Sequence, residues 1–477
     1  MSEQTPGTTE PDTLHTESHD PAVPAAYAAF MRTGWGDREL DLPRHPVADP
    51  AAARRARLAE IFPGERLVVP AGTFKVRSND TDYRFRPDTA HTWLSGNQTS
   101  DAVVVVEDGE SVLYARPRSD RESDEFFRDR QYGELWAGRR PSLGEMSDSL
   151  GIEVRHVDEL DAALTGSSAK TRVHRGVSQR VDSALSTDAT RDEELSRVLS
   201  ELRLVKDDWE LGELTEACDI TTLGFTDSVR EWDRVLEFGE RWIEGTFFRR
   251  ARAMGNDIGY DSIVGGGAHA TTLHWIDNTG PIVPGELVLL DMGVENRNLY
   301  TADVTRTIPV NGTFTPLQRD LYTLVLNAQQ AGIDAVRPGA PFLAAHHAAM
   351  EVMAHGLGDL GLLPGTVAEA LDPESKVYSR WTLHGTSHML GMDVHDCASA
   401  APEVYPRGDL AEGMVLTVEP GLYFQTDDLL VPEELRGIGI RIEDDIVVTA
   451  DGSRNLSAAL PRDPDAIEEW MGGLIGG

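Results

Sequence analysis

Cysteine is scarce in this chain: Cys218 and Cys397 are the two in 477 residues. Two thiols build no disulfide framework and are too few for a Cys-rich zinc site. No run of about 18 apolar residues occurs, so no membrane-spanning helix is expected. Basic residues are outnumbered, 44 Lys and Arg against 80 Asp and Glu, for a formal charge of −36. That balance argues against a nucleic-acid-binding surface and against docking on anionic membrane, since both need clustered Lys and Arg. The N-terminus has neither a basic start nor an apolar stretch, so no secretory signal is read there. The expected address is cytoplasmic.

Several catalytic motifs are also missing. There is no H-E-x-x-H; His384-Gly385-Thr386-Ser387-His388 has the histidine spacing without the Glu. No G-x-S-x-G nucleophile elbow and no G-x-x-x-x-G-K-[ST] phosphate loop occurs. Gly265-Gly266-Gly267 is not followed by the helix a dinucleotide loop requires, and reads as a tight loop.

The length predicts two or three domains. Residues 1–25 are rich in Thr, Ser, Pro, Glu and Asp with no aromatic residue, a composition expected to form a disordered tail. Two domains are expected after it, 26–197 and 198–477. The first is mixed α/β. Ala51–Phe62 reads as a helix, and Arg66–Pro70, Thr92–Leu94, Ala102–Glu107 and Val112–Ala115 read as strands. The last two form a hairpin around Asp108-Gly109. Arg139 and Arg140 read as a surface pair. Across the boundary between the two domains, Leu195, Val198, Leu199, Leu202 and Val205 mark one face of an amphipathic helix; the rest of the second domain alternates strands and helices. Strands are expected at Glu286–Met292, Ala302–Val310, Gly413–Val418 and Gly439–Thr449. Thr315-Pro316-Leu317-Gln318 opens a helix with Thr as N-cap. A further helix over Phe342–His355 is expected to stop at Gly356.

Four acidic residues lie in or at the ends of apolar strands: Asp291, Asp303, Glu419 and Glu443. Singly, each reads as a turn or solvent-facing residue. As a set they need pairing or a cation, because a lone buried carboxylate is costly. Leu383–Asp396 adds His384, His388 and His395 within a Gly-interrupted stretch, and His274 is a fourth candidate. His346, His347 and His355 lie on the expected helix without motif context and receive no role; Cys397 reads as a packing residue. Carboxylates with imidazole and no thiolate suit Mn²⁺, with Co²⁺, Fe²⁺ or Zn²⁺ as alternatives. Four acids and one His suffice for a pair of divalent ions, which would activate a water between them for amide or ester hydrolysis.

LLDMG, TADVTRT, LHGTSHMLGMDVHD, TVEPGLY and GIRIED, in this order, resemble the pita-bread metallopeptidases, and among them the bacterial Xaa-Pro aminopeptidases. FRPDTAHTWLSG and LWAGRR resemble that family's creatinase-like N-terminal domain. The resemblance implies an α/β (α+β) chain with that domain followed by a pita-bread catalytic domain. It implies five metal ligands, Asp291, Asp303, His388, Glu419 and Glu443, with Asp303 and Glu443 bridging two ions and Glu419 shuttling the proton. His274 and His395 would hold the scissile carbonyl; His384 and Arg441 would line the pocket for a second-position proline. Partners would be peptides with proline second and further copies of the chain, as a homodimer or homotetramer. Prolidase, or a binding protein that keeps the fold without catalysis, is the alternative. Asp291 and Asp303 are one position further apart than is usual in the family, an insertion expected to be absorbed in the loop Asn296–Tyr300.

Overall fold

The computed structural model describes residues 14–16, 20–36, 38–165 and 170–475. The chain packs as two compact units, 1–196 and 197–477. Of the expected tail, residues 1–13 and 17–19 lie outside the described residues. Within the described part, His15 accepts from the backbone N–H of Arg130 at 2.9 Å through its carbonyl, and Arg130 Nε donates to Asp20 at 3.0 Å.

The first unit is built on one mixed five-stranded sheet, in the order Glu153–His156, Glu110–Ala115, Val103–Glu107, Arg66–Pro70, Thr171–Val173. Its centre is antiparallel, and each edge is closed by a parallel strand. Asp108 and Gly109 both take positive φ, 51° and 82°, which gives the hairpin a turn matched to strand twist. Val68, Val103, Val105 and Tyr114 pack on Leu160, Leu164 and Val181 in its core. Thr92–Leu94 is not a strand. It lies in a helix, Thr89–Ser95, whose N-terminus is capped by the Asp88 side chain accepting from the His91 N–H. All seven residues are buried, so packing overrides the β-favouring composition. Arg140 is only partly exposed; it donates to Tyr132 O and Pro117 O and pairs with Glu125, and so is not an ordinary surface residue.

The second unit sets small antiparallel sheets against long helices. Leu287–Asp291 pairs with Ile263–Gly266 on one side and Thr305–Pro309 on the other. Val415–Val418 pairs with Asp444–Thr449, and Gly421–Tyr423 with Gly439–Arg441. The expected continuous strand Gly439–Thr449 is therefore broken at Ile442-Glu443, where the chain passes from one sheet to the next. Two helices, Pro316–Ala335 and Ala344–Asp359, pack side by side behind the sheets. The first starts with the expected capping box: Thr315 accepts from the Gln318 N–H and Gln318 Oε1 accepts from the Thr315 N–H. The second runs through Gly356. A Cβ there would sit 2.3 Å from Leu324, so this glycine serves close helix packing and does not end the helix. Leu290, Met292, Val304, Leu321, Val325, Met353, Leu422 and Ile442 belong to one apolar core beneath the sheets. No helix among the described residues is long and apolar enough to cross a membrane.

Between Asp291 and Asp303 the chain turns through a tight loop at Asn296–Tyr300. The Asn296 N–H donates to Tyr300 O at 2.8 Å, the Asn296 side chain accepts from the Asn298 and Tyr300 N–H groups, and Leu299 takes φ 68°. Pairing resumes with Asp291 opposite Thr305, and Asp303 reaches the same cavity as Asp291.

Candidate active site

Strand ends from four pairings meet around a cavity of about 480 Å³. Asp291 closes its strand, Glu419 follows Val415–Val418, and Glu443 occupies the break between two strands. Side chains at such ends can leave the core without breaking a ladder. Asp291, Asp303, His388, Glu419 and Glu443 all line this cavity, together with His274, His384, His395 and Arg441.

Each of the five is held from behind. The Asp303 N–H donates to Asp445 Oδ2 at 3.1 Å. The Glu443 N–H donates to Thr305 O at 3.1 Å, and Thr305 Oγ1 donates to Glu443 Oε2 at 2.6 Å. His388 is fixed by its own N–H to Thr417 Oγ1 and by the Thr417 N–H to His388 O. The Glu419 N–H donates to Thr386 O at 2.8 Å. Arg441, 3% exposed, donates through Nη2 to Asp291 Oδ2 at 2.6 Å and through Nη1 to Tyr423 Oη at 2.8 Å.

In front, His388 Nε2 lies 3.3 Å from Asp303 and 3.4 Å from Glu419. Asp303, His388 and Glu443 each offer a ligand atom within 4.8 Å of the others'. Asp291 adjoins Asp303 through Tyr260, whose hydroxyl is 2.7 Å from Asp291 Oδ1 and 2.5 Å from Asp303 Oδ1. Its single proton serves one carboxylate at a time. The His395 ring stands edge-on to His388, 4.4 Å between centroids.

Electrostatics shows what the cluster lacks. Burial, then the charges of Asp303, Glu419 and Asp291, pushes the Glu443 carboxyl well above its ordinary value. Burial pushes Asp291 up against the opposing pull of Arg441, with Asp303 adding to the rise. Glu419 rises by burial and the nearness of Asp303. Burial works against a proton on His388, yet its contacts with Asp303 and Glu419 outweigh it and push the imidazole up to about 9. Crowded carboxylates with too little positive charge and an all-oxygen-and-imidazole donor set are the chemistry of a divalent cation site. The residues present therefore fit such ions.

His384 behaves differently. Burial and then Arg441 push it down to about 3, so it stands neutral beside Tyr423, with Nε2 2.7 Å from the phenol oxygen. Tyr260 and Tyr423 are not legible as site residues in the sequence. Tyr423 sits in the TVEPGLY segment, but a tyrosine ending an apolar strand reads as core. Tyr260 has no motif around it at all.

The chain matches the model of metallopeptidase family M24 over residues 213–450, and that of the aminopeptidase P N-terminal domain over 51–174. It is 55% identical over 465 residues to Xaa-Pro aminopeptidase 1 of Streptomyces coelicolor, covering 96% of this chain and 94% of that protein. The chain belongs to metallopeptidase family M24. It is 33% identical to the Xaa-Pro aminopeptidase of Escherichia coli, over 88% of this chain and 96% of that one. The solved structure of E. coli aminopeptidase P with the inhibitor Pro-Leu superposes with a TM-score of 0.79 at 30% identity, covering 90% of this chain and 99% of that one. This M24 member is accordingly a hydrolase of the metallo-exopeptidase class, with an aminopeptidase P N-terminal domain followed along the chain by a pita-bread catalytic domain.

Proposed function

We propose that this M24 peptidase removes the first residue from peptides whose second residue is proline, using two divalent cations, Mn²⁺ before Co²⁺, Fe²⁺ or Zn²⁺. One observation carries the reading: Asp291, Asp303, His388, Glu419 and Glu443 share a cavity with three further histidines and a buried arginine. Asp303 and Glu443 would bridge the ions, Asp291 would complete one shell, and His388 and Glu419 the other. Bound there, the cations supply acidification of a water and polarisation of the scissile carbonyl.

The remaining work falls to side chains. Glu419 takes a proton from the attacking water on a carboxylate oxygen and returns it to the departing proline nitrogen. That return matters because a tertiary amide has no N–H of its own and its nitrogen leaves poorly unprotonated. His274 and His395 donate to the carbonyl oxygen as its charge grows. Neutral His384 and the aliphatic stem of Arg441 bound the space for the proline ring. The domain limits 26–197 and 198–477, and assembly as a homodimer or homotetramer, belong to the same reading.

The protein loaded with Mn²⁺ is expected to release alanine from Ala-Pro-Ala and not from Ala-Ala-Ala. Cleavage of Ala-Pro alone would make the enzyme a prolidase; cleavage of neither, at full metal occupancy, would leave a binding protein. His395→Ala is expected to keep wild-type metal content while kcat falls on the order of 10²-fold, the scale for loss of one oxyanion donor. An unchanged kcat would remove His395 from the chemistry.

A further inference from the structure

Glu240 opens the helix Glu240–Met254 and is completely buried. A carboxylate shut away from water must spend its lone pairs on donors. Glu240 spends them evenly. Oε1 accepts from the Gly266 N–H at 2.8 Å and faces His269 Nδ1 at 2.8 Å. Oε2 accepts from Trp275 Nε1 at 2.9 Å and from the Gly280 N–H at 2.6 Å. All four partners come from one stretch of chain, Gly266–Gly280, which turns through Gly267–Thr271 and then lends Leu273, His274 and Ile276 to the cavity wall.

The stretch is thus tied at both ends and twice between. The Glu240 N–H also donates to Gly280 O at 3.0 Å, which closes the ring. His269 and Trp275 stack on each other, 3.9 Å between centroids, so the two tied side chains brace one another. A Cβ at Gly280 would lie 2.6 Å from His269 Nδ1 and 2.8 Å from Glu240 Oε1; glycine is what lets the carboxylate sit there. His274 is the immediate neighbour of clamped Trp275. Its own side chain is exposed to the cavity.

We infer that Glu240 is a positioning residue for His274: its carboxylate fixes the Gly266–Gly280 loop so that the imidazole meets the scissile carbonyl. The inference rests on the role proposed above for His274. Glu240 touches none of the five candidate ligands through its carboxylate, so the clamp governs turnover and leaves cation loading alone.

Glu240→Gln replaces one acceptor oxygen by an NH₂ that confronts two donors. In the Mn²⁺-loaded enzyme acting on Ala-Pro-Ala, kcat is expected to fall roughly 10- to 100-fold, the scale of a misplaced reacting group. Mn²⁺ bound per chain stays at the wild-type value. Trp275→Phe removes a single donor without adding one, and a loss of about fivefold is expected. Both losses vanish when combined with His274→Ala, each double variant being as slow as His274→Ala alone, because a residue acting only through His274 has nothing left to position. Additive losses in the double variants, or wild-type kcat in both single variants beside a slow His274→Ala, overturn the clamp. Wild-type kcat in His274→Ala overturns the role of His274 and the clamp with it. Should Glu240→Gln fail to fold, Trp275→Phe, alone and combined with His274→Ala, decides between the same outcomes.

Discussion

Glu443→Ala is expected to leave the enzyme folded, essentially inactive and short of its full metal complement. Glu443 is 1% exposed and stands where three other carboxylates converge. It supplies one of the three ligand atoms found within 4.8 Å of one another. Residues that merely orient a metal ligand typically cost 10- to 100-fold when replaced. Loss of a residue in the bridging role proposed for Glu443 should cost more, on the order of 10³-fold in kcat/KM or beyond. The fold should survive because the substitution removes a carboxyl that is hard to keep ionised there, while the Glu443 N–H to Thr305 O bond is retained. Glu443→Gln separates shape from charge, since it fills the same space and can still accept from Thr305. Steady-state hydrolysis of Ala-Pro-Ala and metal analysis of the dialysed variants check the expectation. Two ions per chain and a wild-type rate in Glu443→Ala would remove Glu443 from the ligand set.

The largest loss of stability is expected from Arg306→Met. Arg306 is 1% exposed and its guanidinium is wholly engaged. It donates to Asp444 Oδ1 at 2.7 Å and to four carbonyls, those of Thr305, Glu443, Leu460 and Pro461. Removing one partner of a buried ion pair costs about 3–5 kcal/mol, because the other charge is left stranded. Methionine fills the volume and satisfies none of the five acceptors. Denaturant unfolding measured with intrinsic fluorescence should show the loss; a difference below about 1 kcal/mol would mean that water replaces the guanidinium. The pH dependence has a definite sign. Burial alone would raise Asp444, but Arg306, the Ser457 hydroxyl and Arg462 together outweigh it and hold the carboxyl below its ordinary 3.8. That depressed group stabilises the native protein above its unfolded-state value, and the contribution is lost as pH falls through the folded one. In the variant Asp444 keeps Ser457, Gln329 and the more distant Arg462 Nε at 3.8 Å but loses its main partner, so its value rises and acid relieves it. The stability gap therefore narrows on acidification.

Much of the site is legible in the chain because its chemistry breaks local rules. An acid at the end of VLLD or in IRIED is conspicuous where apolar residues set the pattern. Three histidines between glycines are conspicuous in a chain with 14 in all. The capping box at Thr315 and the Asp108-Gly109 hairpin are legible because short-range hydrogen bonds fix both. What escapes a reading of the sequence depends on partners far along the chain. Thr92–Leu94 is helical since the whole of Thr89–Ser95 is buried by packing. Gly356 continues its helix because Leu324, thirty-two positions earlier, needs the room. Glu240 looks like any acid at the start of a charged helix. Its importance lies in four donors 26 to 40 residues away.

The break at Ile442-Glu443 separates three successive acids into three unrelated environments. Glu443 meets Thr305 and the cavity, Asp444 is neutralised by Arg306, and Asp445 accepts from the Asp303 N–H and the Cys218 thiol. Exchanging Glu443 with Asp444 would leave composition, net charge and local hydropathy untouched. It would nonetheless shorten the arm that reaches the cavity by one methylene and force a longer one against the guanidinium. Sequence order at this spot carries information that no tally of acidic residues can hold.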